Sequence, residues 1–396
     1  MKARYQYRVY PTEQQATLLA KLFGCCRVVY NDALAWVMQT PDDVKWPSNT
    51  ELQKLCITLA KQYPNRVWLS EVSNIPLQQS VQDLGVAFKN FYEKRARFPR
   101  FKRRDGEQSA RFRAGGFSIK GNKLFLAKLG LFKVKWSREL PSEPSSVTII
   151  NNKAGQYYAS FVVEVQQKSV RPERKSIGVD LGIKTFAFPS VGKPIASPGY
   201  QRLNRKIAKT NRQLARRQKG SNRWQRTKLR LAKLHLKKAN LRKDFLHKQS
   251  TKLIRENQTV SLENLNVSGM LKNRRLSRAI SEQGWRMFRD MLEAKANQYR
   301  DRAVSIISRW EPTSQSCSDC GFRWGKLDLS IRSVLCVSCG ADHDRDENAA
   351  KNIDKSGLEL VRDNNRTLSR CKPANAATCD DASSQPYEAR QLSLCF

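Results

Sequence analysis

The sequence predicts an α/β protein of several domains, and three patterns lead to that prediction. Residues 1–10 alternate between apolar and polar side chains, the period of a half-buried strand, and short strand-type runs return between residues 98 and 165. Beyond residue 171, apolar strand-type runs alternate with long helical ones. Four cysteines then follow in two C-x2-C pairs separated by fifteen residues, a spacing typical of a zinc-binding loop.

The N-terminal half has the pattern of a small β-barrel interrupted by helices. After the first strand, Thr12 with Gln15 three positions later has the sequence of a capping box, so a helix should begin there. We assign residues 1–11 and 97–170 to the β-barrel and residues 12–96 to a helical insertion. Within the insertion, further helices are predicted around residues 26–39, 50–62 and 75–96.

The second half should contain five strands and several helices. The strand-type runs are SIGVDLG, KTFAFPS, VGKPIAS, TVSLENL and RAVSIIS. Their order is strand, strand, strand, helices, strand, helix, strand, helix. We assign residues 171–310 and 341–355 to this α/β domain, residues 311–340 to the four-cysteine loop, and residues 356–396, which are polar, to a flexible tail.

The charge of the chain points to a polyanion as its partner. The 73 Lys and Arg residues against 35 Asp and Glu residues give a net charge of +38, and nucleic acid suits such a field. Residues 201–257 alone hold 20 of these cations against only Asp244 and Glu256. We predict a hairpin of two helices there, broken at Gly220 and Ser221 and lined with cations. These cations either bind nucleic acid or form a merely solvated surface.

A membrane or an oxidising compartment is not expected. No apolar run approaches the ~20 residues that span a bilayer, and the N-terminus lacks the apolar core of a signal peptide. The protein should therefore be intracellular, with its ten cysteines reduced. Cys25, Cys26 and Cys56 lie among apolar residues, and we expect them in the core.

Three acids stand where an apolar or neutral side chain would suit a folded core better. Asp180 lies within the run IGVDLG, and Glu263 closes the later strand TVSLE. A buried carboxylate should be ion-paired, protonated or bound to a metal, because burying it unpaired is costly. Asp346 opens the last helix, where it could also be an ordinary N-terminal acid stabilised by the helix dipole. Together the three acids predict a Mg²⁺ site for phosphodiester hydrolysis.

The cysteine loop should hold a structural ion. Four thiolates fill all four positions around Zn²⁺, so such an ion orders the loop rather than activating water. Charged and aromatic side chains within the loop either meet nucleic acid or form a solvated surface, and the sequence leaves both open. These side chains are Arg323, Trp324, Lys326 and Arg332, and the zinc ligands are Cys317, Cys320, Cys336 and Cys339.

The motifs GVDLGIKTFA, SLENLNVSGM, CSDC with CVSC, and DRDENAAKNI resemble those of the TnpB (OrfB) family. Insertion sequences encode this family, and it is related to the type V CRISPR effector nucleases. YRVYPTEQQ, RVVYNDAL and FPRFKRR are similar to it too, so the resemblance covers about residues 1–355. It implies an RNase H-like (RuvC) nuclease domain with an inserted four-cysteine zinc ribbon, and an N-terminal β-barrel with a helical insertion.

The resemblance further implies an RNA-guided DNA endonuclease of the bacterial or archaeal cytoplasm, associated with the nucleoid. Its partners would be a noncoding guide RNA and a double-stranded DNA target, without a membrane. By this resemblance, the ligands of catalytic Mg²⁺ would be Asp180, Glu263 and Asp346. Asp346 occupies the first position of the motif D-x-N-A-A. The zinc would be structural.

Other functions remain open on the sequence. A transposase would use the same acids to join element ends by strand transfer. A guided repressor would bind DNA without cutting it, although such a protein should lack some of the three acids. A general basic RNA-binding protein would bind with steep salt dependence, but it leaves the acids and the cysteines unexplained.

Overall fold

A computed structural model of the chain describes residues 1–41, 43–328 and 330–370, the last seven as backbone only. The described residues form two compact units. The first contains residues 2–165 together with 222–232, and the second contains residues 166–221 together with residues from 233 onward. No helix among the described residues is long and apolar enough to cross a bilayer.

The first unit is built on a seven-stranded antiparallel sheet. Its order is β2-β6-β7-β1-β5-β4-β3, with the first strand of the chain in the middle. The predicted β-barrel is therefore a half-barrel, because β2 and β3 form the two edges of the sheet in the part of the chain described. The strands are β1 (Lys2–Tyr10), β2 (Gln108–Arg113), β3 (Phe117–Lys120), β4 (Lys123–Leu126), β5 (Gly130–Lys135), β6 (Ser146–Asn151) and β7 (Tyr157–Glu164).

The helices of this unit are α1 (Glu13–Gln39), α2 (Asn49–Gln53) and α3 (Asn74–Tyr92), with short π and 3₁₀ segments at Lys54–Leu59, Ala60–Gln62 and Val67–Glu71. The predicted capping box is confirmed, since Thr12 and Gln15 exchange both hydrogen bonds. The separate helix predicted at 26–39 is wrong. Buried positions continue at helical spacing across Gly24, so one helix runs throughout.

The second unit contains a mixed five-stranded sheet in the order β10-β9-β8-β11-β12. The first three strands in this order are antiparallel, whereas β8, β11 and β12 run parallel. Every strand predicted from the second half is present. They are β8 (Arg174–Leu181), β9 (Thr185–Pro189), β10 (Ile195–Ala196), β11 (Asn257–Glu263) and β12 (Ala303–Ile307), while β13 (Ser333–Leu335) and β14 (Asp342–Asp344) pair in the cysteine loop.

Two long helices form the predicted basic hairpin, and Gly220 between them has a φ of +90°, which glycine adopts without strain. The helices of the second half are α4 (Gln201–Ala215), α5 (Asn222–Glu256), α6 (Val267–Met270), α7 (Ser277–Gln283), α8 (Trp285–Ala296) and α9 (Arg345–Arg370). Of those beyond the hairpin, α8 and α9 pack against strands of the mixed sheet.

The tail predicted for residues 356–396 is wrong over residues 356–370, which continue α9. The composition suggested a flexible segment, but Gly357 brings the helix against the side chains of Ser261 and Ser305. Tertiary packing therefore supports a polar helix that its own sequence would not. Residues 371–396 of the predicted tail lie outside the described residues.

Candidate active site

Asp180 and Glu263 lie at the same edge of the mixed sheet. Strands β8 and β11 are parallel neighbours, with Leu262 in register with Val179. The next position on each strand is an acid, and Glu263 is the last residue of its strand. Because the carboxyl ends of parallel strands meet at one edge, this register places the two carboxylates side by side.

Helix α9 crosses the sheet on a row of small residues. Gly178 is in register with Ser261, which is in register with Ser305 on β12. A β-carbon on Gly178 would overlap the carbonyl oxygen of Ala350 and would lie 2.5 Å from the backbone nitrogen of Asp354. Gly178 and Ser261 each lie two positions before an acid, Asp180 and Glu263, so each small residue and its acid point to the same face of the sheet.

Asp346 enters from the first turn of α9. The carboxylate of Asp344 accepts hydrogen bonds from the backbone N–H groups of Asp346 and Glu347, both at 3.0 Å, and so caps the helix. Asp344 thus has a structural task next to the acid that the sequence singled out. Because the cap belongs to Asp344, the carboxylate of Asp346 is not used in capping.

The three acids influence one another electrostatically. Desolvation first, then repulsion from Glu263 and from Asp346, raises the pKa of Asp180 to about 7, against smaller lowering effects from a hydrogen bond with the backbone of Leu181 and the charge of Arg345. A carboxyl group whose pKa is raised by two neighbouring carboxylates lies in a field that favours a cation. The structure therefore brings the three predicted residues together, while their role as metal ligands stays a prediction.

Two further side chains contact the acids, and the sequence did not predict either contact. The hydroxyl of Thr313 donates a hydrogen bond of 2.6 Å to Oε1 of Glu263. The Nη1 atom of Arg332 donates to both carboxylate oxygens of Asp346, at 3.3 and 3.0 Å. The sequence placed Arg332 in the cysteine loop and left open whether it meets nucleic acid or solvent. Its ion pair with an acid fourteen positions later depends on how β13 and β14 pair, which composition does not reveal.

The four predicted cysteines converge on one point. The ligand atoms of Cys317, Cys320, Cys336 and Cys339 all lie within 4.8 Å of one another. Each C-x2-C pair forms a tight turn that ends in a glycine with a positive φ, Gly321 at +80° and Gly340 at +75°. A hydrogen bond from the backbone of Phe322 is the main reason that the pKa of Cys320 falls to about 7. Four converging thiols, one of them readily ionised, fit a tetrahedral Zn²⁺ ion.

Aromatic groups in and next to the loop have structural roles. His343 on β14, just beyond the loop, is buried, and its Nε2 atom lies 3.1 Å from the sulfur of Cys317. Trp324 donates from its ring nitrogen to the carbonyl of Ser314 at 3.2 Å, and its ring centroid lies 6.1 Å from that of His343. Trp324 therefore supports the loop in this structure rather than offering a free ring to nucleic acid.

The cysteine loop is attached to the helix that carries Asp346. The amide of Asn348 accepts a hydrogen bond from the backbone of Ser318 and donates to the carbonyl of Ser316, both at 2.8 Å. One turn later, Asn352 donates to the carbonyls of Thr313 and Ser316 at 2.7 and 2.8 Å. The segment 313–318 thus connects the first cysteine turn to α9. It also contains Thr313, the hydrogen-bond partner of Glu263.

Three family models match parts of the chain. Residues 160–274 match the OrfB model of IS605, described as "Probable transposase". Residues 285–353 match the Cas12f1-like TNB domain. Residues 1–39 match a helix-turn-helix domain of OrfB, a region that here consists of β1 and the single helix α1.

Relatives cover most of the chain. A Streptomyces pristinaespiralis protein named "Putative RNA-guided DNA endonuclease" is 39% identical over 363 residues, 90% of both chains. InsQ of Escherichia coli K12, which has the same description, is 30% identical over 391 residues, 90% of this chain and 92% of its own. The fold is similar to that of Cas12f1 in its complex with sgRNA and target DNA, with a TM-score of 0.56 and 14% identity over 86% of this chain and 83% of that one. The chain therefore belongs to the OrfB (TnpB) family.

Proposed function

We propose that this protein is an RNA-guided DNA endonuclease that cuts its target by Mg²⁺-dependent hydrolysis in an RNase H-like, RuvC-type site. The observation that carries the proposal is the meeting of Asp180, Glu263 and Asp346, contributed by β8, β11 and α9. The strand order of the mixed sheet supports the RNase H-like assignment. The names of the two relatives support RNA guidance and a DNA target.

The donor set at the sheet edge fits Mg²⁺. Carboxylate oxygens are its preferred protein ligands, and repulsion among these carboxylates contributes to the raised pKa of Asp180. Asp180, Glu263 and Asp346 would hold the ions. When bound, two Mg²⁺ ions would supply activation of water and neutralisation of charge on the leaving oxygen.

The neighbouring side chains would prepare the acids for this task. Thr313 fixes one oxygen of Glu263 and leaves the other for a cation. Arg332 contacts both oxygens of Asp346, so its guanidinium would compete with a bound cation for the same carboxylate. A guanidinium released in this way can pair with a phosphate of the DNA strand, a charge-assisted contact that suits its planar donors.

The remaining parts of the chain would bind nucleic acid and order the site. We assign structural Zn²⁺ to the four cysteines of the loop at 311–340, with residues 171–310 and 341–355 as the nuclease domain. The half-barrel and the helices at 12–96 would hold the guide RNA and read the sequence that flanks the target. The cations of α4, of α5 and of the connection between them would contact phosphates, since residues 201–257 hold 20 Lys and Arg residues and only two acids.

The proposal is tested first by the RNA that the protein carries. The protein is purified from cells that contain its native element, washed at high salt, and the bound RNA is sequenced. One discrete RNA that extends beyond the gene is expected, and a plasmid matching its guide region should then be cut in Mg²⁺. A heterogeneous mixture of RNAs with no matched cutting would contradict the proposal.

Asp180→Asn tests the catalytic assignment in the same complex. The change should abolish Mg²⁺-dependent cutting and leave RNA and DNA binding nearly intact, because only the metal site is altered. Glu359→Gln is the control, since it removes the same charge from an exposed position farther along α9. Joining of element ends by the protein without RNA would instead favour the strand-transfer alternative.

A further inference from the structure

Trp310 presents its ring almost entirely to solvent. Its side chain is 85% exposed, more than any other large apolar side chain in the part of the chain that the structure describes. Single exposed apolar side chains are common on protein surfaces. An exposed tryptophan differs from these, because its large π-face is well suited to stacking.

The backbone around Trp310 is held firmly although its ring is free. The N–H of Trp310 donates to the hydroxyl of Ser308 at 3.3 Å, and the N–H of Glu311 donates to the carbonyl of the same serine at 3.2 Å. Glu311 also accepts a hydrogen bond of 3.3 Å from Ser356 on α9. The loop therefore presents the ring in a defined place, which lowers the entropy cost of binding a ligand there.

That place is beside the candidate catalytic acids. At one end of the loop, the N–H of Asn264 donates to the carbonyl of Ile307 at 3.2 Å. At the other end, the hydroxyl of Thr313 donates to Glu263 at 2.6 Å. Trp310 is three residues from each anchor, and three extended residues span at most about 11 Å. The backbone of Trp310 is thus held within about 11 Å of two anchors that adjoin Glu263.

We propose that Trp310 stacks on an unpaired base of the DNA strand that enters the site. The inference rests on the proposed function, and it adds a binding subsite for one nucleobase next to the acids. Stacking requires a base that has left the duplex, and it tolerates any sequence because every base has a π-face. The neighbouring Arg309 is exposed and supplies a cation for the backbone. Trp310 would be a positioning residue that sets which phosphate meets the metal ligands.

The decisive measurement compares strands with and without bases. Full-length protein with its copurified RNA, carrying Asp180→Asn to prevent cutting, is titrated with a fluorescein-labelled 15-nucleotide thymidine strand and with an abasic strand of equal length. Trp310→Ala should weaken binding of the thymidine strand roughly 5- to 150-fold and leave the abasic strand unchanged. Trp310→Phe should restore most of the loss, because it keeps a ring.

Val337→Ala is the matched control, since Val337 is 82% exposed and lies in the second cysteine turn. It should bind both strands like the parent protein. An equal effect of Trp310→Ala on both strands, or no effect on either, would overturn the inference. So would a loss confined to a uridine RNA strand, because the ring would then serve RNA instead of the DNA strand.

A second readout follows the cut itself in protein that keeps Asp180. Trp310→Ala should raise KM and broaden the positions of the cut ends more than it lowers kcat, because the acids remain intact. If Trp310→Ala protein still cuts with an unchanged KM and at unchanged positions, the inference is overturned. Failure of the proposed catalytic site would be distinguishable from this outcome, because Asp180→Asn protein would then still cut DNA.

Discussion

Gly178 on β8 lies directly against the carbonyl of Ala350 on α9, so closely that no β-carbon fits between strand and helix. This contact sets the height of α9 above the sheet and therefore where Asp346 lies relative to Asp180. The requirement for glycine is steric, since Gly178 does not have a positive φ.

Gly178→Ala should loosen α9 from the sheet. Overpacking at such a contact costs about 1–3 kcal/mol or more, and we expect faster amide hydrogen exchange along α9 together with reduced cutting. Gly24→Ala is the control, because a β-carbon there meets only the guanidinium of Arg27 at 3.9 Å within a helix. That change should leave exchange in α9 unaltered and slightly stabilise α1. Full protection of α9 in Gly178→Ala would show that the contact has little importance.

Thr313→Val should slow cutting without unfolding the protein. Valine has the shape of threonine but cannot donate to Glu263, so one carboxylate oxygen loses the bond that orients it. Hydrogen bonds to charged groups contribute about 1.5–3 kcal/mol, and a fall in kcat of roughly tenfold or more is expected. Thr313→Ser keeps the donor and should retain most of the rate, so a serine variant as slow as the valine variant would count against this role.

Mg²⁺ should stabilise the protein more at pH 8 than at pH 5.5. The pKa of Asp180 is raised to about 7, chiefly by desolvation, whereas the unfolded chain releases this proton near pH 4. Because the folded state holds the extra proton, this group lowers stability as pH rises from about 4 through about 7. A cation competes with the proton, so its stabilising effect grows over the same range. Thermal unfolding with and without Mg²⁺ measures this, and Asp180→Asn should remove most of the pH dependence.

Cys339→Ser should release the zinc and stop cutting. One of four thiolate ligands is lost, and structural zinc sites require all four. The effect should reach the acids because the segment 313–318 connects the first cysteine turn to α9 and to Glu263. Metal analysis should give about one zinc per chain for the parent protein and much less for the variant. Cys25→Ala, which changes a buried core thiol, should keep its zinc.

Much of the site could be predicted from the sequence because its signals are local. Asp180 and Glu263 interrupt apolar strand-type runs, and the cysteines have a spacing that few other structures require. The order of the strands then suggested that the acids meet. The same reasoning identified the basic hairpin, whose break at Gly220 is visible in the sequence.

The other contacts could not be predicted because they depend on tertiary placement. Arg332 reaches Asp346 only because β13 and β14 pair, and Thr313 reaches Glu263 only because its loop returns to the sheet edge. Helix α9 continues past Lys355 because Gly357 fits over Ser261. The two residues are far apart in the sequence, so neither segment by itself predicts this contact. Likewise, a separate helix was predicted around residues 26–39, but buried residues on both sides of Gly24 keep α1 continuous.

The position of α9 has a consequence during synthesis of the protein. Asp180 and Glu263 leave the ribosome well before Asp346, and α9 also carries the asparagines that hold the segment 313–318. A nascent chain that has not yet released this helix lacks its third carboxylate and the anchor of its cysteine loop. On the proposed function, translation order alone would therefore leave the unfinished chain without a complete set of Mg²⁺ ligands while its transcript is still being read.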